Sequence, residues 1–96
     1  MKYKIIYLPI FRHDILQISE ALTEYPNKAQ RLFREMEKNL LMLTDMPYIY
    51  PEYQANPKYR RMVLEDHLLF YLIDEKKHLV KVYRLLYSKS DISKQV

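Results

Sequence analysis

The sequence predicts an α+β fold: a short N-terminal strand, a two-helix antiparallel hairpin, then a three-stranded antiparallel meander, with the helices packed on one face of the sheet. Three observations predict it. Apolar residues recur at helical spacing on both sides of Pro26. From Tyr59 to Tyr87, three apolar runs (Arg61–Leu64, His67–Ile73 and Leu79–Tyr87) are separated by the charged breaks Glu65-Asp66 and Asp74-Glu75-Lys76-Lys77. Between these halves, residues 46–58 carry Pro47, Pro51 and Pro57, which excludes both a helix and a central strand.

The elements follow in order. Residues 1–8 alternate Tyr3, Ile5 and Tyr7 against Lys2, Lys4 and Ile6, the pattern of a strand, stopped at Pro9. The helical hairpin spans 11–45. Its first helix is expected from Phe11 to Tyr25, with Phe11, Ile15, Ile18 and Leu22 on one face, and Pro26 ends it because proline disfavours helical geometry in the residue before. Asn27 is the expected N-cap of a second helix from about Lys28 to Leu43, whose apolar face is Ala29, Leu32, Phe33, Met36, Leu40 and Leu43. In the 46–58 loop, Tyr48, Tyr50 and Tyr53 are expected to pin the chain to the body; the alternative is an aromatic contact surface. The meander occupies 59–87, and 88–96 is a polar tail.

Composition excludes several function classes. The chain of 96 residues is sized for one domain with its own core. It has no Cys, hence no disulfide framework and no thiolate metal site, and no Gly, hence no phosphate-cradling loop and no expected nucleotide cofactor. His13, His67 and His78 share no metal-ligand spacing, so no metal is expected. No apolar run approaches the ~18 residues that span a bilayer, and the N-terminus lacks the pattern of a signal peptide, which points to a cytoplasmic protein. The net charge of +4 is uneven: Lys and Arg exceed Asp and Glu by 7 to 6 in residues 1–48 and by 9 to 6 in 49–96. A basic second half suits an acidic partner, or is simply a solvated basic surface.

The side chains able to do chemistry gather in the meander and tail: Arg60, Arg61, His67, Lys81, Arg84, Tyr87 and Lys89. Strand alternation puts Val80, Val82 and Arg84 on one face and Lys81, Tyr83, Leu85 and Tyr87 on the other. A guanidinium among core residues is expected to be paired, with Asp14, Glu20 or Asp91; the alternative is a clamp for phosphate or carboxylate. His67 follows a tight turn and is expected to be a surface or capping residue rather than a general base. RNA cleavage needs a base, a cation at the scissile phosphate and an acid, roles open to His67, Arg61, Arg84, Tyr87 and Lys89, but no spacing requires them to converge.

The order and spacing of two segments resemble a known family. His67-Leu68-Leu69-Phe70-Tyr71 and Tyr83-Arg84-Leu85-Leu86-Tyr87-Ser88-Lys89-Ser90-Asp91 are similar to the "H.IFY" and "RILH..MD" segments of the RelE/ParE superfamily of type II toxin–antitoxin toxins. Arg12 to Ile18, Pro26 to Ala29 and Leu40 to Pro47 fit the same pattern. The resemblance implies a bacterial toxin silenced by a cognate antitoxin, with no cofactor. ParE-like members act on DNA gyrase; RelE-like members cleave mRNA on the ribosome. Leu68 stands where the nuclease branch tends to carry arginine, no arginine follows Arg84, and the histidine–glutamate pair of YoeB-like nucleases is not evident, so the ParE-like reading is preferred. Tyr87 stands where ParE-like sequences often carry histidine. In the nuclease alternative, Arg61, Arg84, Tyr87 and Lys89 are the expected catalytic set. The expected partner-binding set is Arg60, Arg61, His67, Tyr83, Arg84, Tyr87 and Asp91, on the sheet's free face and exposed edge. Monomer and homodimer both stay open, as does an inactive family member.

Overall fold

The computed structural model describes residues 2–96; Met1, assigned to the first strand above, lies outside them. Strand β1 (Lys4–Tyr7) passes almost directly into helix α1 (Pro9–Ala21). Proline suits the first helical position, where its missing N–H has no helical partner to lose and its φ is already helical. Pro9 therefore ends the strand and also starts the helix, earlier than the apolar stripe from Phe11 predicts. The helix closes at Ala21 rather than Tyr25. The Thr23 hydroxyl donates to the Glu20 carbonyl at 2.8 Å and satisfies the last turn. Pro26 again has two roles: it holds Tyr25 at φ −130°, ψ 63°, and it opens α2 (Pro26–Met42). Asn27 consequently lies inside the first turn, and Tyr25 takes the N-cap place without a side-chain cap bond.

The meander is β2 (Arg60–Leu64), β3 (His67–Asp74) and β4 (Leu79–Tyr87), with a 3₁₀ turn at Ile92–Lys94 in the tail. The sheet order is β1-β4-β3-β2; β1 runs parallel to β4 and the other pairs are antiparallel. Both hairpin turns use left-handed residues without glycine, Glu65 at φ 53° and His78 at φ 52°, each at a cost of about 1–2 kcal/mol. The helices bury Phe11, Leu32, Leu40 and Leu43 against Met62, Leu64, Leu69, Tyr71, Val80, Val82 and Leu85. Removing each such side chain from water stabilises the fold by about 1.5–3 kcal/mol. Among the described residues, no helix is long and apolar enough to cross a membrane.

A bulge overturns the predicted strand alternation. Phe70 pairs with Arg84, yet its neighbour Tyr71 pairs with Val82, so Tyr83 is an extra residue on β4. Past that point the faces exchange. Leu85, not Arg84, joins Val80 and Val82 in the core.

The 46–58 loop is fastened by its tyrosines and their neighbours. The buried Tyr71 hydroxyl donates to Pro47 O at 2.7 Å, the Tyr53 ring meets Phe70 edge-on at 5.0 Å, and Arg60 Nη1 donates to Tyr50 O at 2.7 Å. Tyr3 and Tyr48 both donate to the Glu75 carboxylate, tying β1 and the loop to the β3–β4 turn. The loop also runs along the outer edge of β2, with Tyr53 N–H on Tyr59 O and Arg61 N–H on Pro51 O. The first half of that edge is thus covered, so the exposed edge is shorter than expected and centres on Val63.

Candidate functional site

Strand β1 pairs only with the first half of β4, Leu79 to Val82. Helix α1 lies along the remainder and supplies what a neighbouring strand would. Asp14, buried at 3 % exposure, accepts the Leu85 backbone N–H at 3.0 Å. The same carboxylate takes Arg84 Nε at 2.8 Å and Nη2 at 2.9 Å, a two-pronged pair, while Arg84 Nη1 donates to Gln95 O at 3.1 Å. Of the three partners expected for Arg84, Asp14 is the one found. The guanidinium joins α1, β4 and the tail.

A second polar cluster sits beside it. His67 is buried, not a surface residue as expected from its turn position. Its Nδ1 lies 2.9 Å from Asp66 Oδ1, and Asp66 Oδ2 accepts from Lys28 Nζ at 2.7 Å. Arg31 adds a pair to Glu65 at 3.3 Å, so two cations early in α2 clamp the two turn residues. The Lys28 hydrogen bond, then that of His67, holds the Asp66 carboxyl below its usual range. The Tyr3 and Tyr48 hydroxyls do the same to Glu75. Both folded pKa values are depressed, so these carboxylates contribute stability above the unfolded range near pH 4 and lose it as pH falls through the lower folded values. Denaturant titrations through the acid range should therefore show stability falling below about pH 4, with a shallower acid limb in Asp66→Asn and in Glu75→Gln. A limb unchanged in either variant removes that carboxylate from the acid response.

The two clusters flank one cleft of about 420 Å³, floored by Ile18, Leu22 and Leu86 and lined also by Tyr87, Ser90 and Gln95. His67 and Tyr87 meet edge-to-face at 5.7 Å along its wall. Of the expected catalytic set, Arg84 and Tyr87 share this cleft. Arg61 lines a different groove, with Pro51 to Ala55, and Lys89 is exposed in the tail. The set does not converge. Among the expected partner-binding residues, Arg60 is engaged with the loop and lies 4.9 Å from the Tyr48 ring, Tyr83 stacks on Tyr59 at 4.6 Å, and Asp91 pairs with Lys94 at 3.5 Å. Arg61 and Lys89 have no ion pair among the described residues. Asp66, a charged break between two apolar runs, and Lys28, a helix start, are not among the predicted site residues. The adjacency of Asp66 and His67 was the visible signal for the first; nothing local marks the second.

A model of the ParE toxin of the type II toxin–antitoxin system parDE matches residues 5–92. The chain belongs to this ParE toxin family. No curated protein matches it. Solved structures share the fold at low identity. The chromosomal ParDE toxin–antitoxin system of P. aeruginosa has a chain with TM-score 0.73 and 12% identity, the match covering 92% of this chain and 98% of that one. The RelBE2 toxin–antitoxin complex of Mycobacterium tuberculosis gives 0.66 and 16%, covering 91% and 99%. A mutant of the E. coli toxin RelE in the free state gives 0.67 and 16%, covering 99% and 93%.

Proposed function

We propose that this family member is the toxin of a type II toxin–antitoxin module in the bacterial cytoplasm, and that it inhibits growth by binding and poisoning DNA gyrase rather than by cutting mRNA. The observation that carries the choice is the division of the expected nuclease residues. Arg84, the strongest candidate for a phosphate clamp, has its Nε and both terminal nitrogens engaged by Asp14 and Gln95, and Arg61 lies in another groove. Three of the five N–H donors of Arg84 are so taken and its charge is compensated by Asp14, which makes it a poor clamp for a scissile phosphate. The family match and the ParDE likeness support an antitoxin partner. For that partner we propose the sheet face away from the helices, with Arg61 and Tyr83, together with the open edge at Val63, where backbone groups are free for strand addition.

Purified protein should inhibit gyrase supercoiling or trap gyrase-cleaved DNA at micromolar concentration, and antitoxin should reverse the effect. Toeprints of translated mRNA should stay uncut. Gyrase unaffected and mRNA cut in the ribosomal A site would overturn the reading in favour of the nuclease. Neither effect, with no growth arrest on induction, would identify an inactive member.

A further inference from the structure

The cleft beside His67 contains an acceptor that the gyrase reading does not use. The His67 side chain is 7% exposed, and its Nδ1 is taken by Asp66. With Asp66 accepting from Nδ1–H, the tautomer that satisfies this contact carries its lone pair on Nε2. That nitrogen has no hydrogen-bond partner among the described residues, and it is not among their fully buried polar atoms. His67 itself lines the cleft.

The rest of the cleft defines what would use that acceptor. The floor is apolar, from Ile18, Ala21, Leu22 and Leu86. One wall is the edge-to-face pair of His67 and the half-exposed Tyr87, an arrangement that welcomes a further ring. The charged groups are matched, Asp14 with Arg84 and Asp66 with Lys28, so the lining favours neither an anion nor a cation. A volume of about 420 Å³ accommodates a one- or two-ring molecule. We propose that this cleft binds an aromatic ring carrying a hydrogen-bond donor, of the phenol or indole class, with its face on the apolar floor and its O–H or N–H on His67 Nε2. The ring comes either from a free small molecule or from a Tyr or Trp side chain of a partner protein. The proposal is independent of the gyrase reading.

The test titrates the full chain with indole and with 1-methylindole, nearly the same shape without the N–H, and follows the His67 ring and the Ile18, Leu22 and Leu86 methyl groups by NMR. Both should give saturable shifts at these groups, with indole binding about fivefold more tightly, the value of one net hydrogen bond. His67→Phe should abolish the preference and keep the binding. Because that substitution touches the core, Ala21→Trp at an exposed helix end serves as a second variant: it fills the cleft, leaves the Asp66–His67 pair intact, and should abolish the shifts. N-acetyl-tryptophanamide binding as indole does would assign the ring to a partner protein; exclusion of this compound with indole still bound would assign it to a free molecule. Absence of saturable shifts, or equal affinity of the wild-type protein for indole and 1-methylindole, overturns the proposal.

Discussion

Asp14→Ala should destabilise the protein by about 3–5 kcal/mol, because breaking a buried ion pair leaves the surviving charge without compensation. For a domain of this size that corresponds to a fall in melting temperature of roughly 15–30 °C. The Asp14 side chain is 3% exposed and that of Arg84 13%, so water cannot take over the lost interaction. The carboxylate also ends the β4 ladder by accepting the Leu85 N–H, and an orphaned buried donor costs about 1–3 kcal/mol. A double variant, Asp14→Leu with Arg84→Met, should recover much of the loss, since no charge is left unpaired, but not all of it, since the Leu85 N–H stays unsatisfied. Urea and thermal denaturation of the two variants measure both effects. A loss under 1 kcal/mol in Asp14→Ala would mean that the pair does not hold the fold. The double variant also bears on the proposed function: at a temperature where it is folded, the gyrase inhibition proposed above should persist, because the Arg84 guanidinium is held by Asp14 and Gln95 within the fold.

Most of the element order was legible because it depends on local periodicity. Leu32, Met36 and Leu40 recur at helical spacing, and the three apolar runs of the meander are set apart by charged turns. What the sequence hid has particular causes. Pro9 and Pro26 are visible in the sequence as stops, yet each also begins a helix, which depends on where the following apolar stripe finds its partner, and the first helix closes at Ala21, well before Pro26. The bulge at Tyr83 has no glycine or proline to announce it, and one inserted residue was enough to move Arg84 off the face where alternation placed it. The cleft is still less visible, because Asp14, Lys28, the Asp66–His67 pair and Tyr87 come from four separate segments. Only the pair adjacent in sequence could have been recognised from the sequence.

Tyr71→Ala should cost about 3–5 kcal/mol, the loss expected for deleting a fully buried aromatic ring from a core that cannot close around the space. Tyr71→Phe separates the ring from its hydroxyl. Burial pushes the Tyr71 phenol up to about 12, so it stays a donor across the working pH range, and its acceptor is Pro47 O at the start of the proline-rich loop. Losing only that bond should cost about 1–3 kcal/mol. Its effect should concentrate on the loop, because Pro47 lies where the chain leaves α2 and crosses to the edge of β2. Trypsin cleavage at the exposed Lys58, read under native conditions, should accelerate in Tyr71→Phe by more than the change in global stability accounts for. Cleavage that merely follows global stability would show instead that Arg60 on Tyr50 O and the Tyr48 hydroxyl on Glu75 hold the loop without Tyr71. Since this loop screens half of the β2 edge, its release should also lengthen the free edge from Val63 back toward Arg61, and with it the surface proposed for the antitoxin. Tighter antitoxin binding by Tyr71→Phe than by the wild-type protein would then connect a buried hydroxyl to partner affinity through the strand edge.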